Sequence, residues 1–575
     1  MHFANAMILL GALLFLTSIL ASAVTPRLGV PVLLVFLVIG MFAGEEGPGH
    51  IHFSDYALAN LAGTAALAVI LFDGGLHTRM HSFRVGLRPA LALATLGVFV
   101  TAVITGLFSA WLLHLKPAEG LLIGAIIAST DAAAVFALLH TSAVNLNERV
   151  TSALEMESGS NDPMAVLLTI GLIEYLKAPA EFGALQAVWL GVQQLGLGAL
   201  IGWGGALLLV RAINKLELPD SLYPLLALFG GLLIFGLTGM LGGSGFLAAY
   251  LAGLIVGNRR IRAAASIRRF YDGVAWTAQI GMFVILGLLV TPSKLLPVAL
   301  PGLLISAVLI LLARPLSVFL SLAPFRFPWR EQLYIAWVGL RGSVPIVLAT
   351  FPYLADLPGA ALYFNIAFFI VLVSLVVQGW TVAPSARLLG LHLPAAADMI
   401  HRFEVDLPGS RGHEIVSYRL GVDSLVLGKR AKELPIHDVS RVIGVARGGR
   451  LLAYRDWGVL RPGDYISLLA AEHELPKLDS LFRASRQHGA AAETQRYFGE
   501  FPVDPAAPMS ALAEAYGVPI PPRSGQLSVR QMFVKFMPRA VVGDRLRLGE
   551  IELVVRRMEG NRISEIGLCL PREDS

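Results

Sequence analysis

Charged side chains are scarce in the first two thirds of this sequence. Residues 1–388 hold 20 basic and 17 acidic residues, whereas the shorter stretch 389–575 holds 25 and 23. Thirteen apolar segments fill the first region, at about 4–24, 28–44, 57–75, 88–113, 119–140, 151–176, 183–213, 222–240, 244–258, 274–291, 297–320, 331–351 and 362–386. A helix crosses a bilayer with about 20 apolar residues. The expected fold is therefore a polytopic all-α membrane protein of about 13 transmembrane helices over 1–388, followed by a mixed α/β tail.

The formal charge of +5 calls for no nucleic acid, because cytoplasmic loops of membrane proteins carry an excess of Lys and Arg. The connections alternate in that sense. One set, running from Arg27 through Arg79, Arg149, Arg211, Arg259 and Arg326 to Arg387, holds 15 basic residues in all, and the other holds Lys116, Lys177 and Lys294. With an odd number of crossings, the N-terminus is expected outside and the tail in the cytoplasm. The stretch "MILLGALLFLTSILASA" ends in an A-x-A-like triplet, yet no Lys or Arg precedes it, so it reads as a first membrane helix rather than a signal peptide. The single cysteine, Cys569, excludes an intrachain disulfide framework.

Two segments carry interruptions at corresponding places. "IIASTDAAAVF" (126–136) lies in the fifth and "GLRGSVPIV" (339–347) in the twelfth. An offset of seven crossings inverts the second copy relative to the first, and broken helices in inverted repeats form ion sites near mid-membrane. Unwound backbone leaves carbonyls and amides free to hold an ion. The plainer reading is that Gly and Pro only kink these helices.

"EMESGSNDPMAV" (155–166) places acids inside an apolar run, where a carboxylate must face the protein interior or an aqueous cavity. On a helix Ser158 and Asp162 share one face, and Glu157 and Asn161 share the next. Oxygen ligands suit a hard monovalent cation. Burial disfavours a charged carboxylate and a bound cation favours it, so a proton and a cation compete for such a group. Asp162 is the expected centre of that exchange, with Asp131, Thr130 and Ser158 as ligands or supports. A polar network that merely joins two helices is the alternative. Arg341 needs an acidic partner if buried, and Glu157 is the expected one, with Asn161 bonded to either. For these three a structural role is at least as well supported as a direct one. Asp73, beside Gly74 and Gly75, reads equally as an ion-path ligand or an interfacial cap. Glu174 is expected at an interface. Arg314 is left between snorkelling and pairing with a carboxylate such as Asp131. No histidine falls in these polar centres and no G-x-x-x-x-G-K-[ST] sequence is present. Transition-metal chemistry and ATP-driven pumping therefore have little support.

"STD" (129–131), "ESGSNDP" (157–163) and "GLRGSVPI" (339–346) together resemble the cation:proton antiporter family, in its NhaP/NHE-like branch, over essentially all of 1–388. The resemblance implies that Asp162 takes both cation and proton and that Thr130, Asp131 and Ser158 complete the site. It also implies that Asp73 approaches the ion in some members and that Glu157 pairs with Arg341. The pair Asn161-Asp162 resembles the electroneutral members, with no cofactor beyond transported K+ (or Na+) and H+. A homodimer is implied, with a mobile core moving against a dimerisation domain. In the tail, residues 403–472, ending in "GVLRPGDYISLLA", resemble the C-terminal subdomain of potassium-transport regulators (TrkA-C, or RCK-C). A polar linker is expected at 485–496, and 497–572 resemble the small transporter-associated domain of CorC/HlyC proteins. The G-x-G-x-x-G half that normally precedes the regulatory subdomain is missing. NAD control is therefore not implied, though another small regulator could bind the tail. The whole arrangement resembles bacterial inner-membrane potassium/proton antiporters. Sodium/proton exchange, a ligand-gated cation channel and a non-transporting membrane sensor remain the alternatives.

Overall fold

The computed structural model describes residues 2–394 except 29, 79, 81, 82 and 143, and 400–570 except 405–412, 421–423, 425, 435, 437–439, 472, 473, 475–477, 479, 480, 483–496, 500, 518–523, 538, 560 and 561. The expected linker lies outside the described residues. The chain forms two compact units, Met1–His392 and Leu393–Ser575.

The first unit is entirely helical among its described residues: α1 (His2–Leu28), α2 (Val32–Ala43), α3 (Tyr56–His77), α4 (Phe83–Ala92), α5 (Val98–Leu113), α6 (Pro117–Ile126), α7 (Ala132–Thr141), α8 (Glu148–Lys177), α9 (Ala184–Lys215), α10 (Leu222–Met240), α11 (Gly245–Gly257), α12 (Ala264–Leu288), α13 (Pro292–Val308), α14 (Arg314–Leu322), α15 (Trp329–Trp337), α16 (Val344–Leu348), α17 (Phe351–Leu354) and α18 (Ala360–Leu388). Helix occupies each of the thirteen expected apolar segments. Among the described residues, eight helical stretches are long and apolar enough to cross a membrane. The 30-residue α8 is not one of them, because it carries Glu155, Glu157 and Asp162.

The fifth segment splits into α6 and α7 around 127–131, and the twelfth splits into α15 and α16 around 338–343. The fourth and eleventh segments are also irregular: π-helical turns at Leu93–Gly97 and Leu309–Ala313 join α4 to α5 and α13 to α14. Such turns re-aim the side chains that follow, and Arg314 comes directly after the second.

The helices group by their closest pairings. One bundle joins α2, α3 and α9–α12, and the other joins α4–α8 and α13–α18. In the first bundle α3 and α11 pack backbone to backbone. A Cβ added at Gly75, Gly253 or Gly257 would run into a carbonyl of the facing helix, the small-residue contact that membrane helices use in place of a hydrophobic driving force.

The second unit carries two antiparallel sheets. Strands β1 (Ile400–Glu404), β2 (His413–Arg419), β3 (Arg441–Arg447), β4 (Arg450–Leu451) and β5 (Tyr465–Ala471) pair in the order β1-β2-β5-β3-β4 over a core that includes Val416, Val445, Ile466, Leu468 and Phe482. Strands β6 (Phe501–Val503), β7 (Arg545–Leu548), β8 (Ile551–Glu559) and β9 (Arg562–Cys569) pair in the order β6-β9-β8-β7, with helices Met509–Tyr516 and Val529–Phe536 contributing Leu512, Met532 and Phe533 to its core. The turn before β5 is fixed by Asp464, which accepts hydrogen bonds from Arg461 N at 2.9 Å and from Arg447 Nε and Nη2 at 2.8 and 2.7 Å. Gly463 supplies the positive φ of 87° that this turn needs.

Burial works against ionisation of Asp464, but the bonds from Arg447 and the Arg461 amide outweigh it and hold the carboxyl below its usual range. A depressed folded value means stability that is present above the unfolded pKa and lost as pH falls through the folded one. Asp464→Asn is expected to cost about 1.5–3 kcal/mol near neutral pH, read as faster amide exchange in β5. The difference from the unsubstituted protein should shrink in acid, where Asp464 itself takes a proton.

Candidate functional site

Two broken helices meet in the first unit. The amide of Asp131, in the first break, donates to the carbonyl of Leu340 in the second at 2.8 Å. Arg341 Nη1 donates to the carbonyls of Ala128 and Ser129, both at 2.6 Å. Those carbonyls sit past the C-terminal end of α6, where helical partners run out. The guanidinium supplies the missing donor and complements the negative end of the helix dipole. Asp131 Oδ1 accepts from Ala134 N at 3.0 Å and caps α7. The glycines of "GLRGS" now have a reason. A Cβ at Gly342 would collide with the Asp131 carboxylate, and one at Gly339 with the Arg314 side chain.

Helix α8 lies across the first break and satisfies it from the side. Ser158 Oγ donates to the Thr130 carbonyl at 3.0 Å and accepts from Ala132 N at 3.1 Å. Asn161 Nδ2 donates to Thr130 Oγ1 at 2.6 Å. Ser129 Oγ donates to Asp162 Oδ1 at 2.5 Å. Asp162 is 6% exposed and Asn161 is fully buried, whereas Asp131 and Ser158 are partly exposed.

A cavity of about 580 Å³ lies between the two helix bundles, and Asp73, Thr130, Asp131, Ser158 and Asp162 all line it. These residues, all singled out from sequence, therefore share one space. Glu157, Asn161 and Arg341 stand behind its wall. His77 stands in the same wall as Asp73 and reaches two acids, with Nδ1 3.3 Å from Asp73 Oδ1 and Nε2 3.5 Å from Asp272 Oδ1.

The expected Glu157–Arg341 ion pair is not what forms. Glu157 is paired by Arg314, with Nη1–Oε1 at 2.5 Å and Nη2–Oε2 at 2.9 Å, and both side chains are buried. The π-helical turn ahead of Arg314 and the notch at Gly339 direct its guanidinium across the break onto α8, while Arg341 is taken up by the α6 carbonyls. Arg314 therefore pairs with Glu157 and not with Asp131. A second buried pair, Arg149–Glu331, joins the start of α8 to α15 with Nε–Oε2 at 2.8 Å, and Asn147 also donates to Glu331 at 2.8 Å.

Sequence reasoning gave no role to Ser129, Ser374 or Gln378. Gln378 Nε2 donates to the Trp337 carbonyl at the end of α15 at 2.6 Å, and Ser374 Oγ bonds Gln378 Oε1 at 2.5 Å while accepting from Arg341 N at 3.0 Å. The signal was available: two polar side chains four apart in an otherwise apolar span occupy one helix face.

The sodium/hydrogen exchanger family, in its transmembrane region, matches residues 12–388. The K(+)/H(+) antiporter NhaP2 of Shewanella sp. (strain MR-4) is 45% identical over 572 residues, covering 99% of each chain. The K(+)/H(+) antiporter NhaP of Alkalimonas amylolytica is 43% identical over 559 residues, covering 96% of this chain and 97% of that one. Among solved structures, the sodium proton antiporter MjNhaP1 from Methanocaldococcus jannaschii at pH 8 is similar with a TM-score of 0.59 and 26% identity, covering 68% of this chain and 100% of the other. The chain belongs to the sodium/hydrogen exchanger family, a class of membrane transporters.

Replacing Arg314 by Ala is expected to cost about 3–5 kcal/mol, because it leaves a buried carboxylate unpaired. In double-mutant cycles, Glu157→Gln should couple to Arg314→Gln by about 1 kcal/mol or more and to Arg341→Gln by less. Unfolding in mixed micelles measures both, and equal coupling to the two arginines would contradict the pairing seen here.

Proposed function

We propose that this protein is a secondary antiporter exchanging potassium for protons across a bacterial inner membrane, one for one, by alternating access. The observation that carries the reading is Asp162, an almost buried carboxylate at a cavity wall that also offers the oxygens of Thr130, Asp131, Ser158 and Asp73. A cation entering this space meets oxygen ligands suited to a hard monovalent ion. It also meets one carboxylate that can carry either the ion or a proton. Ser129 orients that carboxylate. Ser158 and Asn161 hold the break in shape, and Arg341 and the Glu157–Arg314 pair keep the surrounding charge fixed. Potassium is preferred over sodium because near-full-length relatives, the two named above among them, are K(+)/H(+) antiporters. The Na(+)/H(+) antiporter NhaG of Bacillus atrophaeus, at 33% identity, covers 57% of this chain.

In this reading the chain crosses the membrane thirteen times, with its N-terminus outside and its tail in the cytoplasm. Segments 4 and 11, with their π-helical turns, and segments 5 and 12, with their breaks, correspond in inverted repeats. The cavity at Asp73 and His140 opens to the cytoplasm. The bundle of α2, α3 and α9–α12, together with α1, forms the homodimer interface, and the other bundle is the moving core. The sheet of 400–471 serves as an RCK-C-like regulatory domain open to a small-molecule regulator, and that of 501–569 as a CorC/HlyC-associated-type domain.

Asp162→Asn is expected to abolish exchange while leaving folding intact. In the unsubstituted protein, each bound K+ should release a proton. At pH values below the pKa of Asp162, half-saturation should need about tenfold more K+ per pH unit. Proteoliposomes carrying a pH dye, challenged in turn with K+, Na+ and Rb+, test this. Cation binding that is indifferent to pH would defeat the reading, and a response to Na+ alone would redirect it to sodium.

A further inference from the structure

Where the two bundles touch beside the cavity, one aromatic ring meets one glycine. Tyr250 of α11 is 5% exposed, and its ring lies so close to Gly159 of α8 that a Cβ at that position would overlap Cε2, Cζ and Cδ2. Gly159 stands between Ser158 and the turn that bears Asp162, and both Gly159 and Tyr250 line the cavity. A glycine in the interior of a helix costs about 0.5–1 kcal/mol relative to alanine, so this one needs a compensating contact, and the ring provides it. Along the same face of α8, the positions one turn either side are Glu155 and Pro163, both bulkier. Gly159 is thus a notch between two larger side chains.

Fit, rather than hydrogen bonding, holds the ring against α8. The Tyr250 hydroxyl is out of water, and the polar group beside it is the Thr78 hydroxyl at the end of α3, in its own bundle, which also donates to the Gly74 carbonyl at 2.8 Å. Behind the ring, α11 is fixed to α3 by the glycine contacts at Gly75, Gly253 and Gly257, so Tyr250 is anchored to one bundle and seated on the other.

We infer that Tyr250 is a positioning residue for transport. Its ring in the Gly159 notch fixes where the Asp162-bearing helix rests against the α3–α11 pair with the cavity open, and turnover requires the ring to leave and regain that seat. This rests on the exchange function proposed above. The cation ligands are not part of the contact, so disturbing it should change the rate of the cycle and spare the K+ concentration at half-saturation.

The test uses the full-length chain in phosphatidylethanolamine/phosphatidylglycerol vesicles under a K+ gradient, with initial rates and half-saturating K+ measured for Gly159→Ala, Tyr250→Ala and the double variant. Gly159→Ala is expected to lower turnover at least about tenfold, with half-saturating K+ within about twofold of the unsubstituted protein and with helix content unchanged by circular dichroism. In the Tyr250→Ala background, where no ring remains to collide with, the same glycine substitution should have no further effect. A Gly159→Ala protein as fast as the unsubstituted one overturns the inference. So does a loss of equal size with and without the ring, or one that appears as raised half-saturation. If the unsubstituted protein itself moves no protons against K+, the functional reading fails first and takes this inference with it.

Discussion

The crossing of two unwound segments is the constraint on which the membrane unit depends. Helix breaks inside apolar surroundings leave amides and carbonyls without partners, a cost of several kcal/mol per group in lipid. Here each break supplies partners for the other. Asp131 N reaches Leu340 O, and Arg341 reaches Ala128 and Ser129. The guanidinium is the decisive piece. It is permanently charged, it needs several acceptors, and the end of α6 offers carbonyls with no other donor. A fixed positive charge placed there compensates the helix terminus without occupying the cavity.

Because Arg341 is engaged with backbone, the acids of α8 divide into two classes. Glu157 is neutralised by a dedicated arginine and faces away from the cavity. Asp162, one turn on, receives only a serine hydroxyl and faces into it. The two carboxylates lie in one helix five residues apart, yet the first has a fixed countercharge and the second has none. A group with that freedom can change partners between a proton and a cation at modest cost. A group held by a bidentate arginine cannot. Asp162 is thus the acid of α8 that the scaffold leaves without a fixed countercharge.

The same logic describes the two bundles. Each is held internally by close contacts, with glycine-mediated backbone packing of α3 on α11 on one side and buried ion pairs tying α8 to α14 and α15 on the other. Between them lie the cavity and several discrete contacts: the Tyr250 ring at Gly159, the stacked rings of Tyr56 and Tyr353 with centroids 3.8 Å apart, and the Asn60–Thr350 hydrogen bond at 2.8 Å. Interfaces packed in this way favour discrete positions over continuous deformation.

Much of this was legible in the sequence because it is local. Charge density marks the limit of the membrane unit, and apolar runs mark its helices. The Gly, Pro and Ser/Thr/Asp clusters mark the two breaks, and helical spacing puts Ser158 beside Asp162. The partner of Glu157 was not legible. Arg314 and Arg341 are equivalent on composition and depth, and only the π-helical turn before Arg314, the open notch at Gly339 and the waiting carbonyls of α6 decide between them. The joining of Asp73 to the cavity, the bracing of α15 by Ser374 and Gln378, and the seating of Tyr250 on Gly159 likewise depend on which helices become neighbours. Periodicity gives each helix its faces. Which face meets which partner is fixed by packing among segments far apart in the chain, and a linear pattern carries no record of that.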